Sequence, residues 1–224
     1  MTFSIVIPSY NHWDLTHSLL FDIYNNFPQD VEILVVDDCS PDAEVLKGLA
    51  WWQNGMLKGR LHVLINKENL GFLRTANFGV SKATGDIVML ISNDVRIADK
   101  QVVSKITDIL SVYENPVLIG SRLLDYDTGW NTIDGVVHKY LEGWFLSFRK
   151  AEWEKFGGFD TRYTICDCED MDISCTYLKN GGSLVALNAE MLHLGAQTIG
   201  YTEKREANTR ANQERWRKKW KPQT

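Results

Sequence analysis

Four cysteines in 224 residues, Cys39, Cys166, Cys168 and Cys175, are too few to staple a chain of this length, so reduced thiols are expected rather than a disulfide scaffold. Cys166, Cys168, Cys175 and His193 could together hold a structural zinc, but Cys-x-Cys spacing is weaker evidence than paired Cys-x-x-Cys knuckles. No apolar run approaches the roughly 20 residues needed to cross a bilayer. The amino terminus enters an apolar segment rather than a charged leader, which points to a cytoplasmic protein. Without an internal repeat, a low-complexity block or a Pro/Ser-rich linker, a single domain is expected. The glycines do not fit a Gly-x-Gly-x-x-Gly dinucleotide fingerprint, and there is no Gly-Lys-Ser/Thr phosphate loop. A net charge of -5 argues against a nucleic-acid-binding surface, although the basic stretch from Lys204 to Lys221 could still touch phosphates.

What the chain does have is 44% apolar and 24% charged residues, an ordinary balance for a folded protein with a sizeable core. Phe3 to Ile7, Glu32 to Val36, Arg60 to Ile65 and Asp86 to Ile91 are short runs rich in Val and Ile, apolar on both faces, as central parallel strands are. Between them Trp13, Leu19, Leu20, Ile23, Tyr24 and Phe27, and then Val45, Leu46 and Leu49, recur at near-helical spacing. The alternation of strand and helix predicts an α/β fold with a parallel sheet covered by helices. Further along, Ala98 to Tyr113 reads as a helix and Val117 to Ser121 as a strand. Residues 125–139 read as irregular structure or a hairpin. Asp170 to Leu178 reads as a helix stopped by Asn180-Gly181-Gly182, and Ser183 to Leu187 as a last strand. Residues 201–224 read as a solvated amphipathic helix carrying Trp216 and Trp220.

Open parallel sheets bind ligands beyond the carboxyl ends of their strands. The residues there are Pro8-Ser9-Tyr10-Asn11, Asp37-Asp38, Asn66 and Ser92-Asn93-Asp94. Some acids and a histidine have a bland reading as well: Asp37-Asp38 as a strand-end turn, Glu169-Asp170-x-Asp172 as acids complementing the first turn of a helix, and His193 as a partly buried hydrogen-bonded imidazole.

The ordered combination "VIPSYN", "VVDD", "NLGFLRTANFGVSKATGDIVMLISND", "LEGWFLSFRKAEWEKFGGFDTRY", "CEDMDIS" and "MLHLGAQT" resembles glycosyltransferase family 2, nucleotide-sugar-dependent enzymes of the GT-A fold. "NLGF" and the "ND" ending look closest to a rhamnosyltransferase-like branch. The resemblance implies a Rossmann-like, mostly parallel sheet with helices on both faces. Residues 1–96 would form a nucleotide-binding half, 97–200 an acceptor-side half and 201–224 a basic tail. It places nucleotide-sugar contacts at Pro8, Tyr10, Asn11, Asp38, Asn66, Gly71, Arg74, Asn77 and Asn93, with Asp38 accepting from the imide N–H of uracil or thymine. Relatives hold a divalent cation with an Asp-x-Asp triad. Ser92-Asn93-Asp94 lacks the first carboxylate, leaving Asp94 and His193 as metal ligands, with Mn²⁺ favoured over Mg²⁺ because imidazole suits transition ions. Asp170 would be the general base of an inverting transfer, and Gly143, Trp144 and Glu169 would meet a carbohydrate acceptor. Arg205 or Arg210 could clamp a diphosphate.

Two rivals stay open. One is a non-catalytic nucleotide-sugar-binding module, motivated by the missing carboxylate. The other is a nucleotidyltransferase on a similar sheet, which lacks the amino-terminal Gly-rich basic loop it would need, since "IPSYNH" occupies that place.

Overall fold

The computed structural model of the chain describes residues 1–165, 167–195, 200 and 202–221. Cys166 and the end of the "MLHLGAQT" segment lie outside the described residues, and so does the part of the zinc reading that needs Cys166. The elements in order are β1 (Phe3–Ser9), α1 (Trp13–Asn26), β2 (Glu32–Asp37), α2 (Ala43–Asn54), β3 (Leu61–Ile65), α3 (Phe72–Lys82), β4 (Ile87–Ile91), β5 (Val95–Ile97), α4 (Val102–Val112) and β6 (Val117–Gly120). There follow β7 (Leu123–Leu124), β8 (Thr132–Ile133), β9 (Val136–Val137), β10 (Tyr140–Leu141), β11 (Phe145–Arg149), α5 (Lys150–Phe156), α6 (Glu169–Lys179), β12 (Ser183–Ala186), β13 (Met191–His193) and α7 (Glu203–Trp220).

The main sheet has the order β12-β6-β11-β4-β1-β2-β3. Its pairs are parallel except those of β11, which runs antiparallel to both β4 and β6. Successive strand residues point to opposite faces, and both faces are covered. Ile5, Ile7, Ile33, Val35, Met89 and Ile119 pack with α1, α2 and α4 through Leu19, Ile23, Leu49, Trp52 and Ile106. Val6, Leu34, Val88, Leu90, Leu118 and Phe148 pack on the other side with Leu73, Val80, Trp153, Ile173, Tyr177 and Trp216. Burial on both faces is why these strands read as continuous apolar runs.

Three expectations need correction. The first strand runs past Ile7: Pro8 pairs with Val36 and Ser9 with Asp37. The Ser9 carbonyl accepts from Asp38 N–H at 2.8 Å, so the polar groups of Ser9 face β2 and those of Pro8 face the opposite side. There the pairing with β4 has already ended at Val6, so the missing N–H removes no ladder bond. The helix expected from Ala98 begins only at Val102, because Val95–Ile97 form β5, paired with β13. The carboxyl-terminal helix is docked rather than solvated, with Trp216 and Asn212 at 0% exposure. Residues 125–139 do contain a hairpin, β8 with β9.

Candidate active site

The carboxyl ends of β1, β2 and β4 open onto a cleft of about 630 Å³ lined by Pro8, Tyr10, Asp38, Gly71, Asn93, Asp94, Gly143, Trp144, Glu169, Asp170 and His193, together with Asp167 and Arg205. Two reversals bring the second half of the chain to this edge. Because β11 is antiparallel, its entry rather than its exit lies beside the end of β4. Phe145 pairs with Ile91, and Ser92 N–H donates to the Trp144 carbonyl at 2.9 Å, which seats Gly143 and Trp144 in the cleft. The small β5–β13 ribbon, with His193 opposite Val95, then carries His193 back over Asp94, and their Nε2 and Oδ1 atoms are 3.3 Å apart.

Asp38 is buried and accepts three hydrogen bonds: Oδ1 from Asn66 Nδ2 and Leu70 N–H, both at 2.8 Å, and Oδ2 from Gly71 N–H at 2.8 Å. Of roughly four lone-pair directions on a carboxylate, one remains for a ligand. Gly71 has φ +79°, a conformation costly for a residue with a Cβ, and it starts α3 with its N–H aimed at Asp38. Asn66, itself held by Thr75 Oγ1 at 3.0 Å, therefore orients Asp38 rather than lining the cleft.

Asn11, Arg74 and Asn77 also lie outside the lining. Asn11 N–H donates to Ser40 Oγ at 2.8 Å, behind the wall. Asn77 clamps the Gly157–Gly158 turn, donating to the Phe159 carbonyl at 2.8 Å and accepting from Phe159 N–H at 3.0 Å. Arg74 is exposed on α3.

On the opposite wall Glu169 and Asp170 open α6. Asp170 Oδ1 accepts from Met171 N–H at 2.8 Å and Oδ2 from Gly143 N–H at 3.3 Å. Desolvation still outweighs these bonds and pushes the Asp170 carboxyl up to about 6. Glu169 is pushed well above the usual carboxylate range, first by burial and then by the Asp170 charge beside it. Its Oε2 has no hydrogen-bond partner among the described residues. Both carboxyls are thus held above their ordinary range, Glu169 chiefly by burial and then by the charge of its neighbour. Asp172 faces inward instead, accepting from Tyr163 Oη at 2.9 Å, Trp220 Nε1 at 2.8 Å and Lys219 Nζ at 2.8 Å.

Trp144 stacks on His193 with ring centroids 5.1 Å apart and planes at 18°, so one face of the indole is taken by the imidazole. A second cavity of about 450 Å³ shares Glu142, Trp144 and His193 with the cleft and continues to Ser121 and Arg122. Among the described residues no three His, Cys, Asp or Glu side chains gather as a ready metal site. Asp94 and His193, 3.3 Å apart, are the pair that could hold an ion there. Arg210 points away, 77% exposed and paired with Glu206, whereas Arg205 reaches the cleft and pairs with Asp167 at 3.1 Å. Glu142, Asp167 and the Leu70 N–H were missed from the sequence, and Gly71 was expected at the site but not as a donor to Asp38. Glu142 precedes Gly143 in the quoted "LEGW" and Asp167 lies in "CDCED", but nothing in either pattern tells which side the side chain takes.

The fold is the GT-A glycosyltransferase fold, and residues 4–166 match the model of glycosyl transferase family 2. The chain belongs to that family. It is 23% identical over 94% of its length to the inactive polypeptide N-acetylgalactosaminyltransferase-like protein 5 of Mus musculus, of which it covers 56%. It is 28% identical over 41% of its length to the putative teichuronic acid biosynthesis glycosyltransferase TuaG of Bacillus subtilis, of which it covers 35%. The chain thus spans about half or less of these relatives. Among solved structures it resembles the mannosyltransferase PcManGT of Pyrobaculum calidifontis in complex with GDP-Man and Mn²⁺ (TM-score 0.67, 20% identity, 82% of this chain, 54% of that one). It also resembles S. aureus TarS 1-349 with UDP-GlcNAc (TM-score 0.66, 20% identity, 95% and 65%). No helix among the described residues is long and apolar enough to cross a membrane.

Proposed function

We propose that the protein is an inverting glycosyltransferase that moves a sugar from a UDP- or dTDP-linked donor to a hydroxyl of a carbohydrate acceptor, with Asp170 as general base. The observation that carries the reading is the convergence of Asp38, Asp94 and Asp170 on one cleft from β2, β4 and α6. Tyr10 and Pro8 flank the base, and the free lone pair of Asp38 accepts its imide N–H. The acceptor lies against Gly143, Trp144 and Glu169 and extends into the second cavity. Its oxygen attacks the anomeric carbon, the bond from that carbon to the phosphate oxygen breaks, and the proton passes to Asp170. The carboxylate is suited to the task because its proton affinity sits near neutrality. The donor's diphosphate leaves.

The cleft lining sets Asp38, Asp94, Glu142, Asp167, Glu169 and Asp170 against Arg205 and His193. A diphosphate entering so acidic a lining needs added positive charge. Asp94 and His193 form a carboxylate-plus-imidazole donor pair that would hold Mn²⁺. When bound, such an ion neutralises the diphosphate as it departs. Arg205, paired with Asp167, adds a guanidinium to the lining.

A titration of UDP, dTDP, GDP and CMP with and without Mn²⁺, followed by donor turnover for wild type and Asp170→Asn, tests this reading. Metal-dependent UDP or dTDP binding with turnover lost in Asp170→Asn is expected. Binding of GDP alone overturns the base assignment, and unchanged turnover overturns Asp170. The second reading, a non-catalytic nucleotide-sugar module, is favoured by Ser92 in place of the first carboxylate. It is the outcome if donor binds and wild type turns over nothing.

A further inference from the structure

We propose that α7 is a positioning element for the transfer, acting through Asn212 and Thr209 on the loop that leads into Asp170; this rests on the reading of Asp170 as the base. The family-model match ends at residue 166, just before α6 with Glu169 and Asp170.

The loop is held in an unfavourable shape. Ile165, Asp167 and Cys168 have φ of 64°, 75° and 74°, the left-handed region that residues with a Cβ avoid. Such a conformation persists only where the surroundings over-determine it, and here α7 does so. Asn212, at 0% exposure, accepts from Thr164 N–H at 3.2 Å and donates to the Thr164 carbonyl at 2.9 Å and the Asp167 carbonyl at 3.2 Å. Thr209 Oγ1 donates to Asp167 Oδ2 at 2.6 Å, and Thr164 Oγ1 donates to Asn208 Oδ1 at 2.7 Å. The helix is itself anchored to α6 through Lys219 and Trp220 on Asp172 and through buried Trp216. Its sequence is too polar for an apolar stripe to hold it. These point contacts seat it, and the polar groups on its inner side are used on the loop.

Without Asn212 the Thr164 N–H, the Thr164 carbonyl and the Asp167 carbonyl each lose one hydrogen bond, and the loop can relax toward ordinary dihedrals. The first turn of α6 moves with it. A displacement of about 1 Å at a catalytic group costs on the order of 100-fold in rate.

Four variants decide the matter: Asn212→Ala, Thr209→Val, Thr209→Ser and Asp170→Asn. They are assayed for UDP-hexose turnover with Mn²⁺, for UDP affinity, and for amide hydrogen exchange over residues 163–172. Asn212→Ala is expected to lower kcat about 100-fold and Thr209→Val about 10-fold, with UDP affinity held within about twofold. Thr209→Ser keeps the hydroxyl and is expected to behave as wild type. Exchange in the loop speeds up about 10-fold in Thr209→Val while the melting temperature stays near wild type. Should Asn212→Ala fail to fold, the Thr209 pair decides alone. The inference is overturned if kcat and loop exchange in Thr209→Val match wild type, or if UDP affinity falls in step with rate. If Asp170→Asn is inactive and the α7 variants are normal, only the inference fails. If Asp170→Asn turns over normally, the reading beneath it fails as well.

Discussion

Replacing Asp170 by Asn is expected to abolish most activity and yet make the protein more stable at neutral pH. The carboxyl titrates near about 6 in the folded chain against an ordinary 3.8. Between those values the folded state binds more protons than the unfolded chain, so stability is highest below pH ~4 and declines as pH rises toward 6. Two pH units at 1.36 kcal/mol each set the full penalty at about 3 kcal/mol. The side chain is partly open to the cleft, and solvent screening there reduces the penalty to roughly 2 kcal/mol.

An Asn at 170 removes the charge but can accept only through its single oxygen, so one of the bonds from Met171 N–H and Gly143 N–H is lost, at a cost of about 1 kcal/mol. The net gain of about 1 kcal/mol corresponds to a rise of about 2–4 °C in melting temperature for a chain of this size. Thermal melts at pH 8 and pH 4.5 check it: the variant should melt above wild type at pH 8 and at or below it at pH 4.5, where Asp170 is already protonated. Donor turnover should fall between 100- and 10,000-fold, and wild-type kcat should rise with pH through a limb near 6. A variant that melts below wild type at pH 8 refutes the electrostatic argument. One that turns over normally refutes the catalytic one.

Other perturbations probe the rest of the cleft. Asp94→Asn or His193→Ala should weaken Mn²⁺-supported UDP binding by about 10- to 100-fold, read by titration with and without a chelator, while leaving metal-free binding unchanged. Asp38→Ala removes the acceptor of three hydrogen bonds and should cost about 3 kcal/mol, seen in a urea melt, with loss of UDP binding. At Gly79 a Cβ would stand 2.5 Å from Val6 Cγ1 and 2.9 Å from Val36 Cγ2. Gly79→Ala should therefore destabilise by about 1–3 kcal/mol through overpacking against the sheet.

The strands that read correctly from sequence, β1 to β4, β6 and β12, are those whose apolar runs are bounded by turns. The residues at their ends were legible for the same reason, since a parallel sheet dictates where its loops converge. What stayed hidden depended on distant partners. Nothing in "FLSF" says that β11 runs antiparallel, and three residues each in β5 and β13 are too few to show a period. The approach of His193 to Asp94 thus came only from resemblance. Asn66 and Asn77 look like ligand amides because both amides follow apolar segments. Their real partners, Asp38 and Phe159, are 28 and 82 residues away. The docking of α7 was illegible because its seat depends on one buried Trp216 and a handful of polar contacts, such as those of Asn212, with distant residues rather than on a broad apolar stripe.

The antiparallel strand is what makes the site two-sided. If β11 ran parallel, Gly143 and Trp144 would emerge at the far edge of the sheet, and Asp170 would face β2 and β4 with no wall between. As built, Gly143 has no side chain and lets the Asp170 carboxylate rest on its N–H. A Cβ there would come within 3.1 Å of Asp170 Cβ, closer than two carbons settle without movement. Gly143→Ala should therefore push the base off its backbone donor by a few tenths of an ångström, leaving the core untouched. The expected result is an unchanged melting temperature, unchanged UDP affinity and a kcat lowered by about 10-fold. Since Asp170 is held from one side by Gly143 and from the other by the first turn of α6, a variant with wild-type kcat would mean that the 142–144 wall does not fix the base, and the two-sided arrangement would lose its catalytic meaning.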